Sequence, residues 1–146
     1  MRIIKLSTAD PDMKTREDVD RYFLKTLPEM TPGGQFLVTK GRIAKNGISP
    51  GERLVFSYKG EIIYLARAAS ERLDTTGPDA QTYPNYFIVG IETIQPAKGR
   101  LTEFEADLQG SGLADKNIAR ARGWPIIDES GDRSRRIESL MKGYTS

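Results

Sequence analysis

Residues 53–69, RLVFSYKGEIIYLARAA, constrain this chain more than any other segment. Two apolar runs, RLVFSY (53–58) and EIIYLARAA (61–69), flank the dipeptide Lys59-Gly60. Aliphatic and aromatic side chains crowd both runs, and a two-residue connection ending in glycine folds one strand back on the next. The segment therefore predicts a buried β-hairpin. A lone hairpin is marginal in water, so it needs further strands and a packed face. Three more runs supply strands: RIIKLS (2–7), QFLVTKG (35–41) and YFIVGIETIQ (86–95), with Gly90 marking a bulge in the last.

Helices are fewer. Thr15 reads as an N-cap, with Asp18 in the capping-box place. The following REDVDRYFLKTL puts Val19, Tyr22, Phe23 and Leu27 on one helical stripe. Pro28, Pro32, Gly33 and Gly34 end it. LTEFEADLQG (101–110) predicts a short helix, with Glu103, Glu105 and Asp107 on a solvated face. Asp115 to Arg122 predicts another, stopped by Gly123 and Pro125. Residues 70–85 read as a long polar loop, a kind of segment that is often functional. Residues 1–129 are expected to form the domain. Residues 130–146 read as a polar basic tail or the start of a linker, ending in a weak helical pattern at Ile137, Leu140 and Met141. The order of elements predicts an α+β fold: a curved sheet or partly closed β-barrel of about five to six strands with flanking short helices.

The residue inventory narrows the chemistry. There is no Cys and no His among the 146 residues. Thiol nucleophiles, Ser-His-Asp triads, Cys-ligated zinc and an HNH nuclease centre are absent from this chain. No motif calls for a cofactor or a metal. Gly33-Gly34 precedes a strand instead of opening a helix, so it is no phosphate loop. No apolar run approaches the ~20 residues of a spanning helix, and the N-terminus lacks the apolar stretch of a secretory signal. A cytoplasmic protein without a membrane partner is the expectation.

Charge is uneven. Lys and Arg total 22 against 20 Asp and Glu, a net of +2. Residues 36–60 carry Lys40, Arg42, Lys45, Arg53 and Lys59 against Glu52 alone. Such an excess can follow a few phosphates; a basic loop in water is the plainer reading. Asp10 and Asp12 lie close enough for a metal or acid pair, although Asp-Pro-Asp more often forms a turn leading into a helix. Trp124, the single tryptophan, reads as a plug over the core. Tyr58 at the hairpin and Tyr83 in the long loop are the aromatics placed to stack on a base.

Four segments together carry a resemblance: LSTADPDMKTREDVDRYF, GQFLVTKGRI, PGERLVFSYKGEIIYLARAAS and YPNYFIVGIETIQP. They resemble the EVE-like branch of the PUA-like superfamily over about residues 2–100, and share the opening and the hairpin of YTH domains. They are most similar to the N-terminal readers that precede an HNH nuclease in modification-dependent restriction enzymes. The resemblance implies a pocket that accepts a modified base flipped from DNA, methylated or hydroxymethylated cytosine. It implies base-pocket roles for Ser7, Thr8, Asp10, Leu37, Thr39, Ser57, Tyr58 and Tyr83. Lys40, Arg42, Lys45 and Lys59 would hold phosphates. Leu37 stands where YTH relatives place a cage tryptophan, which points away from a methyl-adenine cage of that kind. The nuclease of the relatives would be a fused or separate partner.

Rival readings are an RNA-binding PUA-like domain and a small ASCH-like hydrolase pairing Lys40 or Lys59 with Asp10. A further one is an interaction module that pairs through an edge strand.

Overall fold

Strand β3 (Arg53–Tyr58) is buried at all its positions, and β4 (Glu61–Arg67) at all but its two ends. Both strands carry apolar side chains on both faces, so they can only sit inside a structure. Lys59 and Gly60 join them with φ of 50° and 78°. Two successive left-handed residues make the turn whose twist matches that of the flanking strands. The computed structural model describes all 146 residues. In it β1 (Arg2–Leu6) runs parallel to β3, pairing Arg2 with Leu54 and Leu6 with Tyr58. A short β7 (Gln95–Pro96) pairs antiparallel with β4, giving a four-stranded sheet in the order β1-β3-β4-β7. A second sheet has three strands, β2 (Gln35–Val38), β5 (Leu73–Asp74) and β6 (Asn85–Ile88), in the antiparallel order β2-β6-β5. The fold is α+β with sheets of four and three strands, and not a closed barrel.

The chain divides into two compact units. The first comprises Met1–Ser7, Leu54–Leu65 and Gln95–Ser146. Its core gathers Ile3, Val55 and Ile62 from the sheet with Leu101, Phe104 and Leu108 from α3 (Leu101–Gly110). The i, i+3, i+7 spacing in α3 gives one apolar stripe, which the sheet covers. Helix α4 (Asp132–Met141) adds Ile137 and Met141, and Tyr144 follows it. Residues 130–146, expected as a polar tail, thus contribute buried side chains to this core; Ile137 is fully buried. The Tyr144 ring meets Phe104 edge-on at 5.0 Å, and its hydroxyl donates to Asp107. The helix expected over 115–122 does not form. That stretch is held as irregular backbone by side chains of Lys5, Glu105 and Gln109.

The second unit comprises Thr8–Arg53 and Ala66–Ile94. Helix α1 (Arg16–Arg21) starts at the expected capping box. Asp18 N–H donates to Thr15 Oγ1 at 3.2 Å, and Thr15 N–H donates to Asp18 at 3.1 Å. The helix passes through a π-helical turn, Tyr22–Thr26, into the short α2 (Leu27–Glu29). Val19, Phe23 and Leu27 are buried, as their stripe predicts. The three-stranded sheet buries Phe36, Val38 and Phe87 on one face. The strand expected over 86–95 is two: β6 ends at Ile88, and a 3-10 turn at Ile91–Thr93 precedes β7. Gly90 stands at the break. Its N–H donates to Arg67 O, and a Cβ there would press on Thr93 Oγ1 at 3.2 Å.

Candidate nucleic-acid interface

The loop after β1 folds on itself. Asp10 Oδ1 accepts from Asp12 N–H at 2.9 Å, and Asp10 O accepts from Met13 N–H at 3.0 Å. Met13 is buried and anchors the loop. Asp-Pro-Asp is therefore a turn into α1, which leaves the second carboxylate oxygen of Asp10 uncommitted to that turn. No group of three or more metal-ligating side chains forms here or elsewhere in the protein.

Tyr22 lies at the first position of the π-helical turn, an arrangement that redirects the side chains following it. Its ring is edge-on to Phe23 at 5.4 Å and to Phe36 at 6.1 Å, and Phe36 continues to Phe87 at 5.3 Å. Tyr83 comes from the segment 70–85, which is not the irregular loop expected. It holds β5 and a 3-10 helix at Pro78–Gln81, and Tyr83 N–H donates to Asp79 O at 2.8 Å.

Tyr22 and Tyr83 both feel the charges of Asp10 and Asp12. Burial pushes the Tyr22 hydroxyl far above the usual tyrosine range, and Asp10, Asp12 and Tyr83 add to the rise. Burial also raises Tyr83, with Asp10, Asp12 and Asp79 adding to it. Both phenols stay protonated at neutral pH and remain donors. The corner thus offers carboxylate acceptors, two phenolic donors and aromatic ring surface.

Lys40, Arg42 and Lys45 lie in the same unit, exposed on the loop after β2. Thr39 opens that loop and is exposed; its carbonyl accepts from Arg42 N–H at 3.3 Å. Buried Ile43 and Ile48 pin the loop, and Arg72 donates to Ile43 O at 2.8 Å. Asn46, with φ of 60°, makes the turn that lets Gly47 N–H reach Ala44 O at 2.8 Å. The cations are carried on fixed backbone. Leu37 is half-buried and pairs across the sheet with Tyr86.

Thr8 is exposed in the second unit, and Ser7 is exposed in the first. Ser57, Tyr58 and Lys59 also belong to the first unit. Ser57 is 2% exposed and Tyr58 4%, so Tyr58 does not stand at an open mouth as expected. β3 is an inner strand covered on both faces, and strand alternation cannot bring either residue out. Lys59 is exposed and lies 5.6 Å from the centre of the Tyr58 ring, a cation–π contact. Sequence reasoning missed Tyr22, which its stripe assigned to the core. The available signal was a phenol among hydrocarbon neighbours, since a half-buried tyrosine hydroxyl needs a polar destination.

No protein-family model matches the chain, and no curated protein matches it at a significant level.

Proposed function

We propose that this protein reads a modified base, methylated or hydroxymethylated cytosine in DNA, by taking it out of the duplex into the corner of Asp10, Tyr22 and Tyr83. The reading includes a PUA-like, EVE-like descent and a role as the specificity module of a modification-dependent restriction system. Cleavage would fall to an HNH-type nuclease partner, since this chain has no His.

The observation that carries the proposal is that the Asp10 and Asp12 carboxylate charges act on the Tyr83 phenol, in one unit with the cations of the 39–52 loop. A carboxylate accepts from the N4 amino group of cytosine, which distinguishes it from thymine and uracil. A ring such as Tyr83 returns about 1–3 kcal/mol by stacking, against the few kcal/mol needed to extrude the base. A buried methyl adds only ~0.8 kcal/mol, so discrimination depends on the fit of the pocket.

The test is fluorescence anisotropy on matched duplexes carrying cytosine, 5-methylcytosine, 5-hydroxymethylcytosine or N6-methyladenine, with single-stranded RNA alongside. One modified-cytosine duplex should bind tightest. Tyr83→Ala should weaken it by about tenfold, as loss of one stacked base implies, and remove the preference. Equal affinity for all duplexes overturns the reading, and preference for the RNA replaces DNA with RNA as the partner.

A further inference from the structure

The first unit contains a cleft of about 470 Å³ that the base-reading proposal does not use. That volume lies within the ordinary range of small-molecule sites. Its apolar walls come from Leu113, Ile118, Trp124, Pro125, Ile126 and Ile127. Ile126 is 60% exposed, one of only two large apolar side chains left so open to water. Trp124 is half-buried and lines the cleft; it does not lie sealed over the core as the sequence suggested.

The cleft is built from a segment without helix or strand, yet that segment is tied at many points. Glu105 accepts from Ile118 and Ala119 N–H. The Lys5 ammonium donates to Ala119 O at 3.3 Å and Ala121 O at 2.5 Å. Gln109 donates to Lys116 O at 3.1 Å. Arg133 donates to Leu113 O and to Asp128 O, so it bridges the two ends. Ile3 N–H donates to Pro125 O at 2.9 Å, and Ile127 N–H to Met1 O at 2.7 Å. A long irregular stretch fixed this thoroughly is a pre-organised surface, the kind of loop that carries binding.

The charges at the cleft are unequal. Arg133 pairs with Asp128 at 3.6 Å. Lys116 and Arg122 are exposed and make no ion pair within the protein, against Asp115 alone. An apolar-walled cleft that includes an indole, with two cations making no ion pair, suits a planar heteroaromatic ring bearing an anion. We propose that the Trp124 cleft is a nucleotide-binding site, with the ring against Trp124 and the phosphate on Lys116 and Arg122. A free nucleotide and the phosphorylated end of a strand share this chemistry.

Trp124 is the only tryptophan of the 146-residue chain, so the fluorescence of that chain reads this site directly. The titrants are CMP, AMP, GMP and UMP, the matching nucleosides, and a 5′-phosphorylated dinucleotide. A saturable change with the monophosphates is expected, with nucleosides at least about tenfold weaker, as the loss of a charge-assisted contact implies. Lys116→Ala with Arg122→Ala should weaken the monophosphates by a similar factor without altering the fold seen by circular dichroism. Both side chains are exposed, so the double variant should fold. Tyr83→Ala should leave this titration unchanged, which separates the site from the base-reading corner. A dinucleotide that binds as well as the monophosphates marks a strand end as the ligand; one that binds worse marks a free nucleotide. No saturation below about 1 mM, nucleosides binding equally, or a double variant binding normally would overturn the proposal.

Discussion

The Glu105 carboxylate accepts two backbone N–H donors, Ile118 and Ala119, that no helix satisfies. Those bonds hold Glu105 below the usual glutamate range, and Arg120 and Lys5 lower it further. Its pKa is therefore lower in the folded than in the unfolded chain. The resulting stability is fully present above the unfolded value of about 4.3 and disappears as the pH falls through the folded value. Urea midpoints at pH 7, 4 and 3 should fall with acid, and Glu105→Gln should be less stable at pH 7 and flatten that fall. Gly34 sets a second residue-scale constraint. Its φ is 84°, and a Cβ would stand 2.3 Å from Val89 O, the end of the contact that aligns β2 with β6. Gly34→Ala should cost about 1–3 kcal/mol in chemical denaturation, the range of stored backbone strain, with the clash adding to it. The capping box of Thr15 and Asp18 was legible in the sequence because both partners lie within one turn. Glu105 was not, because its partners lie 13 and 14 residues away and its alternating acidic neighbours read as a solvated face.

Elements written by local chemistry were legible, and elements decided by distant partners were not. The β3–β4 hairpin and α3 formed where the periodicity and the Lys59-Gly60 turn put them. The run 86–95 looked like one strand because its apolar residues are continuous. Its two halves pair with different strands, β6 with β2 and β5, and β7 with β4. Residues 115–122 had helical composition, but side-chain bonds to Lys5 and Glu105 claim the carbonyls and N–H groups that a helix would use. Helix α4 was obscured by its polarity. Seven of its ten residues are charged or serine on the exposed or half-exposed side, and two, Ile137 and Met141, are buried. Spacing of i, i+4 places these two on one face. If α4 is part of the core, Ile137→Ala should cost about 2–5 kcal/mol, the range for emptying a packed aliphatic site. Thermal and urea unfolding of the full chain measure this; a loss below 0.5 kcal/mol, the scale of a surface change, would return α4 to the status of a tail.

The arrangement of the whole molecule was the least legible level, because apolar periodicity marks strands without naming their partners. The expected α+β class with short helices is present, with seven strands in two sheets of four and three where about five to six strands were expected. The candidate site followed the same rule. Asp10 and Tyr83, both singled out in the sequence, lie in one unit where the Asp10 charge acts on the Tyr83 phenol, while Tyr58 goes into the interior because β3 is an inner strand. Charge, by contrast, transfers directly from sequence to surface. The chain as a whole carries only +2, too little for nonspecific attraction to dominate. Lys40, Arg42 and Lys45 nevertheless stand exposed on one pinned loop. If these three side chains each neutralise one phosphate, duplex binding should fall with salt at a log–log slope of about −2.7, from ~0.9 per phosphate contact. Replacing all three by alanine should bring the slope close to zero and weaken every duplex alike, while the preference among modified bases that the base-reading proposal assigns to Tyr83 should persist. Anisotropy at 50, 100 and 200 mM salt reads both quantities. An unchanged slope would place the phosphate contacts elsewhere on the protein, and a lost base preference would make this loop part of the base pocket.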